Sequence, residues 1–224
     1  MIERTDDAQS AALRAFLLLC ALEESWQGKL VLVRGLDAEG RAMSVAASIA
    51  GAACLALESR LDVCRATLHA GACDFLVNSV DEALRILKNE IRKRKPVSVA
   101  VAMPEAAALE ELTERGVAPE AYIKTGVADE PVSSRFAEFG TRVVENVTAP
   151  ALIDGYASAH QLALHEYRFT TPQELRGFDQ RLVTVIPETD PRRRWALRAP
   201  GFFYRDRPYR RVAYLTAEEV MSLG

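Results

Sequence analysis

Residues 33–59 read VRGLDAEGRAMSVAASIAGAACLALES. An apolar, β-branched run turns at Gly35, meets a second glycine at Gly40, continues through small residues with helical composition, and reaches another apolar run ending at Glu58. Strand, glycine turn, helix, strand is how a dinucleotide-binding unit opens. Its glycines let the first helix present backbone N–H groups to a pyrophosphate without side chains in the way. In the G-x-G-x-x-G spacing a glycine belongs at position 37, and this chain has Asp37. Aspartate adds bulk and a negative charge where a diphosphate would sit. Arg41 could offset that repulsion, since a guanidinium binds phosphate well. Glu58 lies 23 positions after Gly35, where an acidic residue would hold a ribose hydroxyl. The candidate cofactor-binding set is therefore Gly35, Gly40, Arg41 and Glu58, with backbone N–H groups after Gly35 taking the anion. A plainer reading stands beside it: two glycines punctuate a surface turn, and Glu58 favours the start of the next helix.

The same rhythm extends in both directions. Strands are expected over 29–34, 53–57, 73–77, 97–102 and 121–125, with helices over 41–49, 60–70, 80–93 and 105–115 between them. Ser79 and Glu82 have the spacing of a capping box, and Pro104 suits a first helical turn. Runs such as LVLV and VSVAVA are apolar at nearly every position, as strands covered on both faces are. Right-handed crossovers then give an α/β fold, a Rossmann-like, doubly wound, mostly parallel sheet. The expected division is an N-terminal helix in 1–28, a Rossmann-type core in 29–150, and in 151–224 a helix plus an Arg/aromatic-rich β appendage packed on that core. Within the appendage, 150–167 reads as one helix, and 181–186, 195–204 and 211–215 as antiparallel strands. Thr216 and Glu219 should cap a last short helix.

The chain has 224 residues, 49% apolar and 26% charged, with a net charge of −3, which is ordinary for a globular protein. The slight acidity argues against nucleic acid as a partner. No apolar run is long enough to span a membrane, and the first apolar stretch lacks a basic leader. Cys20, Cys54, Cys64 and Cys73 lack C-x-x-C spacing and read as buried, reduced thiols, so a cytoplasmic location is expected. His160 and His165 are five apart, off the three- or four-residue spacing that puts two ligands on one helix face, so no metal site is expected. No catalytic residue can be named; there is no G-x-S-x-G elbow. Asp129 and Glu130, at the carboxyl edge of the sheet, are candidate pocket residues.

Residues 191–211, PRRRWALRAPGFFYRDRPYRR, interleave eight arginines with Trp195, Phe202, Phe203, Tyr204 and Tyr209. That composition serves internal packing, a protein interface including self-association, or an anion or nucleotide site.

Five segments, KLVLVRGL (29–36), SVAASIAGAACLALESRLDVCRATLHAG (44–71), SVDEALRIL (79–87), KPVSVAV (95–101) and LTERGVAPE (112–120), together resemble the central NAD-binding domain of urocanase (urocanate hydratase). The resemblance runs from 29 to about 121 and implies the same fold. It implies no hydratase activity, because the family's functional positions differ. A glycine string after the first strand is interrupted by Asp37, Ala38, Glu39 and Arg41. Met103-Pro104-Glu105-Ala106-Ala107 stands where urocanases have Gly-Asn-Ala-Ala-Asp, and the stretch 123–129 keeps little of Thr-Asp-Gln-Thr-Ser-Ala-His-Asp. The large flanking parts that complete a urocanase active site also find no room in this length. The expectation is a divergent, truncated relative with a nucleotide- or anion-binding cleft, carrying no cofactor, NAD being the one such a fold could take. The alternative is a non-catalytic interaction or scaffold protein that forms homo-oligomers through its C-terminal Arg/aromatic segment.

Overall fold

A computed structural model describes residues 7–125, 130–145 and 149–224. After α1 (Ala8–Leu22), the chain alternates β1 (Leu30–Arg34), α2 (Ala38–Ala50), β2 (Ala53–Glu58), α3 (Leu61–His69), β3 (Phe75–Val77), α4 (Val80–Arg92), β4 (Val97–Ala102), α5 (Glu105–Glu114), β5 (Ala121–Lys124), α6 (Glu130–Glu138) and β6 (Arg142–Val144). The strands form a six-stranded sheet in the order β3-β4-β2-β1-β5-β6, every pair parallel.

Strand alternation builds two apolar layers from one continuous apolar run. Val31, Val33, Cys54 and Ala56 face a core shared with α1 and α2, and Trp195 and Phe203 reach the same core. Leu32, Leu55, Leu57, Val99 and Tyr122 face the other way, against α4, α5 and Phe136 of α6. Because both faces are covered, polar residues never alternate with apolar ones here.

The helix ends follow local chemistry. Asp37 caps α2, and Gly51 ends it at φ +93°. The Glu82 N–H donates to Ser79 Oγ at 3.3 Å. Pro104 is the N-cap of α5.

The C-terminal third differs from expectation. Residues 150–167 are not one helix: α7 (Pro150–Ala159) stops at His160, Gln161 turns the chain at φ +53°, and β7 (Ala163–Arg168) follows. β7 pairs antiparallel with β8 (Arg210–Leu215). The stretches expected as strands at 181–186 and 195–204 are helical instead, in α8 (Pro172–Val185) and α9 (Arg193–Phe203). Their buried residues have helical spacing: Leu175, Phe178 and Leu182 in one, Trp195, Ala199 and Phe203 in the other. A capping box between Thr171 and Glu174, with Pro172 behind it, starts α8. The expected cap on the last helix, α10 (Ala217–Leu223), is present: Thr216 and Glu219 form a full capping box.

All four cysteines are free and buried; burial pushes the Cys54 thiol up to about 12. Among the described residues no helix is long and apolar enough to cross a membrane, and no cluster of potential metal ligands occurs.

Candidate functional site

In an open parallel sheet, ligands bind outside the carboxyl ends of the strands, where the strand order reverses. Here that point is the end of β1, flanked by β2 and β5. β1 leads into Gly35, whose φ is +82° and whose N–H donates to the Leu57 carbonyl at 2.8 Å. A Cβ on Gly35 would collide with Thr125 Oγ1, and that hydroxyl in turn donates to the Arg34 carbonyl. A Cβ on Gly40 would land on the carbonyl of Gly35. Two glycine roles of the dinucleotide turn are thus filled: Gly35 makes the tight bend, and Gly40 lets helix and strand close together.

The third role is altered. Asp37 Oδ1 accepts from the Gly40 N–H at 2.9 Å, so a carboxylate sits at the helix N-terminus where phosphate oxygens bind in a dinucleotide fold. Glu58 is 2% exposed. Its Oε2 accepts from the Leu36 N–H at 3.1 Å and from Arg60 Nη2 at 3.1 Å. Its Oε1 accepts from the Arg60 N–H and from Arg60 Nε, both at 3.0 Å. A carboxylate offers about four lone-pair sites, and these four donors occupy them. Burial pushes the Glu58 carboxyl up, but the bonds from Arg60 and Leu36 outweigh it and hold the group below the usual range.

The remaining candidates are dispersed. Arg41 lines a cavity of about 300 Å³ beside α1 and the end of α9. Asp129 lies outside the described residues, and Glu130 opens α6. Across the same sheet edge Arg34 Nε donates to Glu105 Oε2 at 2.8 Å, tying β1 to α5. Sequence reading missed Lys124. It is 1% exposed at the end of β5, and Nζ donates to Ser133 Oγ at 2.9 Å and meets Glu145 Oε1 at 2.7 Å. A lysine closing the apolar run AYIK was the signal, since lysine is seldom fully buried without a partner.

A model of the urocanase Rossmann-like domain matches residues 11–163, more than half of the chain. The chain belongs to the urocanase family. Among solved structures, a short-chain alcohol dehydrogenase from E. coli CFT073 complexed with NADH is similar over 96% of this chain, at 10% identity and a TM-score of 0.36. The present chain spans 61% of that protein's length.

The urocanase-family match ends as β7 begins, so the arginine-aromatic stretch lies beyond it. Part of that stretch turns inward. Trp195 is buried, donates Nε1–H to the Val212 carbonyl at 2.9 Å and lies 5.7 Å from Phe16 between ring centres. Arg192 is clasped by Asp190 and Glu219, and Arg211 Nε and Nη2 bond both oxygens of Asp179. Arg194 and Arg198 donate to the Ala50 and Ser48 carbonyls at the C-terminal end of α2, where cations are favoured. Arg207 instead covers the Tyr209 ring at 4.0 Å, while Leu197 and Tyr204 of the same region are exposed.

Proposed function

We propose that this urocanase-family chain is a non-catalytic Rossmann-like binding and scaffolding protein whose dinucleotide cradle is held shut by its own carboxylates. One observation carries the reading. The Leu36 and Gly40 N–H groups, both in the turn that would take phosphate, already donate to Glu58 and Asp37. A dinucleotide would have to displace two anions, one of them, Glu58, also held by Arg60, and would add its own negative charge beside them. Fold alone assigns no reaction. The changes at Asp37, at 103–107 and at 123–129 remove the residues that the family resemblance would otherwise carry over. The test is native mass spectrometry of freshly purified protein together with an assay of imidazole-acrylate turnover. Bare protein without turnover is expected. Copurified NAD, or turnover, would overturn the proposal.

A second reading keeps a nucleotide or other small anion at the same turn, supported by the retained geometry of Gly35 and Gly40. In that case the backbone after Gly35 takes the anion, Arg41 supplies charge and Glu58 meets a hydroxyl, and Arg41→Glu weakens binding. For the scaffold role, self-association would use the exposed side of α9 around Leu197 and Tyr204. Sedimentation velocity across a concentration series reads it directly.

A further inference from the structure

The cavity that Arg41 lines has no part in the closed cradle. It lies between the start of α1, the first half of α2 and the end of α9, with Ala12, Ala42, Val45 and Phe203 among its walls. Its volume, about 300 Å³, sits at the small end of ligand pockets. The hollow exists because short side chains face one another across it: α1 and α2 both present alanines there.

Two charged groups interrupt the apolar wall, Arg41 and Asp206. Among the described residues the Arg41 guanidinium has no hydrogen bond or ion pair. Asp206 differs, because it already feels the charges of Arg211 and Arg207. Burial pushes its carboxyl up, and those two arginines pull it back down. The net demand of the pocket is one anionic group for Arg41 and an apolar body for the rest.

We propose that this cavity is a binding site for a small aliphatic carboxylate, roughly eight carbons long, with the carboxylate on Arg41 and the chain among Ala12, Ala42, Val45 and Phe203. A doubly charged phosphate fits less well, since Arg41 is the one cation on the wall and Asp206 lies in the same pocket. The inference is independent of the closed cradle, which concerns the backbone N–H groups of the neighbouring turn.

Isothermal titration with octanoate tests it, with 1-octanol as the uncharged control. Octanoate should bind wild-type protein saturably and more tightly than octanol. Arg41→Gln should weaken octanoate about tenfold, the scale of one charge-assisted pair, while leaving octanol nearly unchanged. Ala42→Phe, which fills the hollow, should abolish binding of both. Should Ala42→Phe not fold, Arg41→Gln still decides the matter, because its guanidinium holds no structural bond. No saturable heat from octanoate would overturn the proposal. So would equal affinity for octanol, or an octanoate affinity unchanged by Arg41→Gln.

Discussion

At the scale of single residues, two carboxylates decide what the glycine turn can do. Asp37 is an N-cap, and replacing such a cap by alanine costs about 1 kcal/mol; urea denaturation of Asp37→Ala should show that loss. Glu58 is more consequential because it is buried and satisfies the Leu36 N–H. Glu58→Gln should destabilise by about 1–3 kcal/mol at pH 7, since the amide offers a donor to groups that need an acceptor. Glu58 has its pKa held below the unfolded value. Its stabilisation is therefore complete above the unfolded pKa, near 4.5, and is lost as pH falls through the folded one. Denaturation curves of wild type and Glu58→Gln should converge when repeated at successively lower pH below that value. A gap that stays constant, or widens, would contradict the assignment. Sequence reading saw Asp37 as an obstacle to phosphate. It did not see Asp37 as a helix cap, because the helix was expected to start at 41 and the structure starts it at Ala38. The bond from the Leu36 N–H to Glu58 was not legible, because Leu36 follows another strand and only the β1–β2 pairing brings it near.

At the scale of elements, most of the parallel core up to β5 was readable, because its central strands are apolar on both faces and helices such as α4 begin at a capping side chain. α6 was not, because the strand-helix rhythm fades beyond residue 130. The C-terminal helices were not. In α9 the tryptophan and phenylalanines favour strand on propensity, and Pro200 interrupts the helix pattern. Tertiary packing prevailed, placing Trp195, Ala199 and Phe203 on one buried face. β7 was hidden for the opposite reason: its residues are at most half-buried, so no clean alternation marks it. Since Trp195 joins α1, α9 and β8, Trp195→Ala should cost about 3–5 kcal/mol, as large buried aromatics do. Equilibrium urea unfolding measures it, and a loss under about 1 kcal/mol would show that α9 is a surface attachment.

At the scale of the whole molecule, the Rossmann-like sheet of the urocanase family is intact, and the proposed reading is that side chains of the chain itself close its ligand edge. Glycines that shape the backbone are retained, whereas the position that serves the ligand carries a carboxylate. The Arg34–Glu105 and Lys124–Glu145 pairs bridge the same edge with further internal charge. The most direct measurement is ¹H–¹⁵N NMR of the Leu36 and Gly40 backbone amides as NAD is added. The closed cradle predicts that both amides are slow to exchange with solvent and keep their chemical shifts throughout the titration. Saturable shifts at both amides would show that NAD displaces Glu58 and Asp37, and would contradict the account.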